Sequence, residues 1–329
     1  MLAMEPPMTM DEIRHTLTDE LLSVNLLIKK ELFSDVGLID EIVAHIIDSG
    51  GKRTRPLVLL MMARALGYLG DEHIELAAVI EFIHTATLLH DDVIDNSHLR
   101  RGQQTANSIW DNQASVLTGD FLYSRAFQLL ARRANVPVMK VLAQTTNLIA
   151  EGEMLQLMNQ HEPEIHEAEY FKVIDRKTAK LFEAGCHIGA LIATNNTHLH
   201  QCAAYFGHHI GLAYQLVDDA LDYFSSTDTM GKERGNDLQE GKITLPFIYA
   251  LSQTEQGEAE SIKTAIREKD TLDLNQISDW ILEKNGHEYT LNKAREHVNQ
   301  AKKCLEPFPD SRYKTALISL AEFIVARNY

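Results

Sequence analysis

Two short acidic motifs carry the clearest chemistry in this sequence. Asp91-Asp92-x-x-Asp95 and Asp218-Asp219-x-x-Asp222 share one spacing, and they lie in the apolar runs LLHDDVID and QLVDDALD. On a helix, residues three and four apart are neighbours, so each motif gathers its carboxylates on one face. Like charges this close disfavour one another and raise carboxylate pKa values. A divalent cation removes that repulsion. Magnesium suits the task because it takes oxygen ligands, keeps several waters, and is shared between one or two carboxylates and substrate phosphates. A lone Asp-Asp-x-x-Asp reads most simply as a solvated acidic face. Two copies with one spacing, both on apolar helices, argue against that reading.

Cations stand beside these motifs. Arg100 and Arg101 follow the first and precede Gly102. Lys232, Arg234 and Lys242 follow the second, and Lys177-Thr178 lies on an intervening helix. Arginine is permanently charged and pairs bidentately with phosphate. Gly50-Gly51-Lys52-Arg53-Thr54-Arg55-Pro56 adds a further cationic element. Its glycines let the backbone approach an anion, and the helix start that follows adds a favourable dipole. It lacks the longer spacing of a Walker A loop. Acidic residues outnumber basic ones by 47 to 31, a net charge of −16. Such a chain is expected to be repelled by nucleic acid. Cations gathered beside paired acidic clusters are suited to gripping a diphosphate.

The elements that must position these groups read as helix after helix, so the fold is expected to be all-α. Thr9-x-x-Glu12 is a capping box, and Ile13, Leu17, Leu21, Val24 and Ile28 then recur at helical spacing. Further helices are expected over 39–47, 56–66, 72–95, 115–131, 137–160, 167–194 and 198–224. More follow at 243–253, 257–268, 273–284, 288–305 and 311–327. Glycines at 50–51 and at 102 mark stops. The stretch 225–242, rich in Gly, Asp, Ser and Thr, is the main loop candidate. No linker divides the 329 residues, so one helical domain is expected, with 1–10 as a flexible extension. The N-terminus lacks the features of a signal peptide. No apolar run approaches the roughly 18 residues of a membrane span. Three scattered cysteines fit a reducing cytosol and a cytoplasmic protein.

GGKRTRP, HTATLLHDDVIDNSHLRRG, GEMLQL, RKTAKLFEAG, AYQLVDDALDY and GKERGNDLQEGKITLPF together resemble the trans-polyprenyl diphosphate synthase family, in its long-chain members. Order and spacing match from residue 11 to the end. One departure is Ile243, where close relatives often carry proline; it bears on the loop more than the chemistry. The resemblance implies an all-α isoprenoid-synthase bundle around a substrate cavity, magnesium as cofactor and a homodimer. An allylic diphosphate such as farnesyl diphosphate loses its diphosphate, isopentenyl diphosphate attacks the cation, and the cycle repeats with trans geometry. Asp91, Asp95 and Asp218 would hold the metal, with Asp92, Asp219 and Asp222 in support. Arg100, Lys177, Thr178, Gln215 and Lys232 would face the allylic diphosphate. Lys52, Arg55, His84 and Arg101 would hold isopentenyl diphosphate.

A growing tail would run beside the helix of the first motif. Ala86 and Thr87 lie about one turn before Asp91. Small Ala86 leaves that path open, so the stop lies deeper, with Leu130 and Leu142 as floor candidates that read equally well as core. The product is then long; the resemblance implies octaprenyl diphosphate or one unit either side, serving a respiratory quinone and handed to the membrane surface. His198, His200, His208 and His209 read as surface histidines, and Met154, Leu155, Leu157 and Met158 as packing. Two alternatives stay open. A class I terpene cyclase shares the ionisation chemistry but carries a different second metal motif. A non-catalytic prenyl-diphosphate-binding subunit would be free to lose a cluster.

Overall fold

A computed structural model describes residues 8–48, 50–51, 53–100, 102–133, 135–224, 235–268 and 273–327. The chain begins with α1 (Met10–His15), closed by the Thr9–Glu12 capping box, and α2 (Thr18–Glu31). The periodic run from Ile13 to Ile28 is therefore two helices, with the break at Thr16 and Leu17. Met8 donates its backbone N–H to Ser319 Oγ at 3.0 Å, and Met8 and Met10 pack on the core, so the described end of the expected extension is docked. Next come α3 (Gly37–Asp48), α4 (Thr54–Ala65) and α5 (Glu72–Ile94). Strands β1 (Leu99–Arg100) and β2 (Gln103–Gln104) pair antiparallel around Gly102, which holds a φ of 76°. This two-residue hairpin is the one small departure from the all-α expectation among the described residues.

The following elements are α6 (Ala106–Ile109), α7 (Asn112–Arg133), α8 (Val136–Met158) and α9 (Glu167–Ile174). A π-helical turn at Asp175–Ala179 then leads straight into α10 (Lys180–Ala193). The long helix α11 (Thr197–Phe224) follows. After it come α12 (Asn236–Gln239), α13 (Leu245–Ser252), α14 (Gln256–Arg267), α15 (Leu274–Glu283), α16 (Gly286–Cys304) and α17 (Arg312–Ala326).

One continuous apolar core runs through these helices from Ile13 to Ile324. Helix α4 is apolar on all sides, and every residue from Pro56 to Ala63 is buried, as expected of a helix enclosed by others. Helix α10 packs against α4, α5 and α11 and so holds α5 and α11 in register. The two acidic motifs end those two helices. None of the described helices is long and apolar enough to cross a membrane.

Candidate active site

Both motifs open onto one cleft of about 610 Å³. Asp91 lines one part of it and Asp218, Asp219 and Asp222 another. Helix geometry explains the arrangement. Asp91, Asp92 and Asp95 occupy the C-terminal turn and cap of α5, and the second trio the last two turns of α11. A helix C-terminus carries partial negative charge, so carboxylates there are destabilised twice, by the dipole and by each other. Such a donor set calls for a cation. The Asp91 Oδ1 atom is buried and has no hydrogen-bond partner among the described residues. Hard oxygen ligands at such a site fit a divalent ion of the magnesium or calcium kind.

The remaining carboxylates are held by the protein. Asp92 is buried and takes two bonds from Arg100, at 2.8 Å from Nε and 2.7 Å from Nη2. Burial raises its pKa against the pull of that guanidinium. The β-hairpin aims Arg100 back at the end of α5. Asp95 pairs with Lys242 Nζ at 2.6 Å, so the segment beyond the second motif ties down the last carboxylate of the first. Asp218 pairs with the buried Arg327 at 2.7 Å, and Arg327 also donates to Tyr214 O at 2.8 Å. Asp219 is buried and accepts from the Tyr170 hydroxyl at 2.5 Å and from Gln215 Nε2 at 2.7 Å. Burial, joined by the charge of Asp237, pushes Asp219 up to about 8. Asp222 accepts the backbone N–H of Asp237 at 3.2 Å and of Gly235, through its own carbonyl, at 2.9 Å.

Lys177 and Thr178 sit on the π-turn, not on a plain α-helix as expected. π-turns inserted in α-helices recur at functional sites. Lys177 Nζ lies 2.6 Å from Glu153 and 3.8 Å from Asp91. Burial works against its charge, but Asp91 and Glu153 outweigh it and raise the Lys177 pKa. Burial and Asp91 push Glu153 up to about 7, with Lys177 opposing. Thr178 Oγ1 donates to Gln215 Oε1 at 2.8 Å.

At the other side of the cleft, Arg55 Nη1 and His84 Nε2 are 3.1 Å apart, and Arg55 lies over the Phe182 ring at 4.6 Å. Arg53, in a left-handed conformation with φ 48°, pairs with the buried Glu81. Lys52, Arg101, Lys232 and Arg234 lie outside the described residues. Ala86, Leu130 and Leu142 are all buried in the core and none is among the cleft's lining residues; Thr87, Leu88 and Ile149 are.

Two readings of the sequence need correction. Met154, Leu157 and Met158 do not pack inside but are 58%, 49% and 72% exposed. Of the four histidines, only His198 is exposed, and His200, His208 and His209 are half-buried. His208 pairs with Asp175 at 3.0 Å, and His209 and His297 share a hydrogen bond of 3.0 Å. Asp175, Glu183 and His208 come close enough to share an ion. Lys180 Nζ already lies 3.4 Å and 2.7 Å from the two carboxylates and supplies that charge. Sequence reasoning missed Tyr170, Glu153, Glu81 and Arg327. Each acts as a single residue outside a spaced pattern, and GEMLQL was the one signal that touched any of them.

Across residues 36–285 the sequence matches the family described as polyprenyl synthetase. It is 43% identical over 323 residues to the octaprenyl diphosphate synthase of Haemophilus influenzae, covering 98% of each chain. It is 41% identical over 322 residues to the octaprenyl diphosphate synthase of Escherichia coli, covering 98% of this chain and 100% of that one. Among solved structures, a polyprenyl synthase from Caulobacter crescentus, complexed with calcium and isoprenyl diphosphate, matches with a TM-score of 0.94 at 39% identity. That match covers 98% of this chain and 99% of the other.

Proposed function

The chain belongs to the polyprenyl synthetase family, and on that premise we propose that it is a long-chain trans-prenyltransferase. It joins an allylic diphosphate, farnesyl diphosphate or a similar primer, to successive isopentenyl diphosphates, giving octaprenyl diphosphate or a chain of close length. The observation that carries this reading is the shared cleft. Asp91 from one motif and Asp218, Asp219 and Asp222 from the other line the same space.

Asp91, Asp95 and Asp218 would hold magnesium, which when bound neutralises the charge growing on the departing diphosphate. Arg100, Lys177, Thr178, Gln215 and Lys232 hold the allylic diphosphate. Lys52, Arg55, His84 and Arg101 hold isopentenyl diphosphate, with the His84–Arg55 contact fixing the arginine's fork. The allylic C–O bond breaks and the diphosphate keeps the electron pair. The isopentenyl double bond attacks the allylic carbon, forming the new C–C bond. A proton then leaves, to the departing diphosphate, and an alkene is restored. Leu88, Ile149 and Leu181 give the cleft an apolar wall that keeps water from the cation. Asp92 keeps Arg100 aimed, and Glu153 keeps Lys177 beside Asp91.

The product serves a quinone side chain, and the enzyme is a cytoplasmic homodimer that releases its lipid at the membrane surface. Mass analysis of the product from farnesyl and isopentenyl diphosphates with magnesium tests the reading. A ladder ending near eight units is expected. Hydrocarbon formed without isopentenyl diphosphate would show a cyclase instead, and an inert protein would end the proposal. Ala86→Tyr is expected to shorten the product, because a bulky ring one turn below the first motif blocks the tail; an unaltered chromatogram would refute that placement.

A further inference from the structure

Tyr170 lies outside every motif that points to the chemistry, yet a chain of hydrogen bonds starts from it in the interior and ends at the cleft wall. Its hydroxyl donates to Asp219 Oδ2, Gln215 Nε2 donates to Asp219 Oδ1, and Thr178 Oγ1 donates to Gln215 Oε1. Tyr170 and Asp219 are 3% and 2% exposed, so water does not compete for the bond between them. The direction of the chain is fixed by the groups themselves. A tyrosine hydroxyl and a threonine hydroxyl each have one proton, and an amide donates from nitrogen and accepts at oxygen. With Asp219 receiving a proton on each oxygen, the Gln215 amide is held with its oxygen toward Thr178. Thr178 then spends its proton inward and keeps its acceptor lone pairs.

The π-turn makes this chain possible. In an unbroken α-helix, residues eight apart, such as 170 and 178, differ by about 80° around the axis. One inserted residue brings them back to within about 20°, so both face α11. Gly211 of α11 permits the approach, because a Cβ there would lie 2.6 Å from Ala179 Cα. The helix register, the glycine and the three hydrogen bonds thus converge on one carboxylate of the second trio.

Resting on the prenyltransferase reading, we propose that Tyr170 is a positioning residue. It fixes Asp219, and through it Gln215 and Thr178, in the orientation in which the second trio and the π-turn meet a diphosphate and its cation.

Tyr170→Phe keeps the ring and removes the hydroxyl alone. Losing one buried hydrogen bond to the Asp219 carboxyl should lower kcat by about tenfold, with KM for both substrates within about twofold. A second readout needs no turnover. Thermal-shift titration with magnesium and inorganic diphosphate should show a several-fold higher magnesium midpoint in Tyr170→Phe. A merely structural tyrosine would lower the unliganded melting temperature and leave that midpoint in place. In an Asp219→Asn background, Tyr170→Phe should move neither quantity further, since coupled residues are not additive. Gln215→Ala cuts the chain on the other side of Asp219 and should reproduce the midpoint shift if Tyr170→Phe does not fold. Unchanged kcat and midpoint in folded Tyr170→Phe, or an equal loss in the Asp219→Asn background, would overturn the assignment. A wild-type protein inert toward both substrates would end the prenyltransferase reading, while the titration would still judge Tyr170.

Discussion

The six aspartates of the two trios have unequal duties. Asp92 and Asp219 are buried and bonded by protein donors, so they aim Arg100 and Gln215. Asp91 keeps a bare buried oxygen, and Asp218 is the more open carboxylate, with its side chain 37% exposed. Asp218→Ala is therefore expected to lower turnover by about a hundredfold or more, the size seen when a preorganised electrostatic group is lost. Circular dichroism should show an intact fold; unchanged turnover would refute the metal assignment. Titration gives a second expectation. Asp219 is pushed up to about 8 and Glu153 to about 7, in each case first by burial. Unfolded, both release their protons near pH 4. Between those values the folded state binds more protons than the unfolded one, so stability falls as pH rises. Burial lowers His73, His209 and His297 to about 4 and lowers His187 and His287 as well, which acts with the opposite sign and fades as pH climbs about a unit past their unfolded value near 6.5. From about pH 7 to 8 the carboxyls outweigh the histidines. The melting temperature of metal-free protein should fall across that window, Asp219→Asn should flatten the fall, and magnesium should remove it. The doubled motif was legible in the sequence because spacing survives without a structure. Tyr170 and Arg327 were not, because a lone residue gains meaning only from what folding brings beside it.

Among the elements, the helices were legible and the π-turn was not. Apolar periodicity and caps act within a few residues, so Thr9–Glu12, the stop near Gly50 and the start of α8, capped by Asn135 with Pro137 in its first turn, follow from local chemistry. Asp-Arg-Lys-Thr-Ala contains no breaker, and the continuous helix expected over 167–194 fits its composition. What selects the π-turn is tertiary. It is pinched between Gly152 on α8, whose added Cβ would lie 2.8 Å from Arg176 Cβ and Lys177 N, and Gly211 on α11. Gly211→Ala is expected to destabilise the protein by about 1–3 kcal/mol through overpacking. Because the neighbours are backbone atoms of the π-turn, kcat should fall further than the lost folded fraction explains. Urea unfolding and kinetics on the same sample check this. Wild-type kcat per folded molecule would mean that the π-turn tolerates displacement.

Across the whole molecule, charged and apolar groups at the surface have different consequences. A net charge of −16 is expected to repel nucleic acid, while among the described residues Arg53, Arg55, Arg100 and Lys177 line the cleft. The outer faces of α7 and α8, however, carry Leu117, Met154, Leu157 and Met158 at 49% exposure or more. Isolated exposed apolar residues are ordinary, but four large ones on two consecutive helices make a candidate association surface. A second copy of this chain is the partner we expect, since closed two-fold dimers are the commonest assemblies of identical chains and pair one patch with itself. A stable dimer buries about 800 Å² per partner, more than one helix face supplies, so both helices must take part. Sedimentation should give a mass near twice 37.1 kDa for the wild type. Leu117→Lys with Met154→Lys should shift it toward the monomer, because two desolvated ammonium groups oppose closure of the patch. A wild-type monomer at micromolar concentration, or a double variant that stays dimeric, would place the association surface elsewhere.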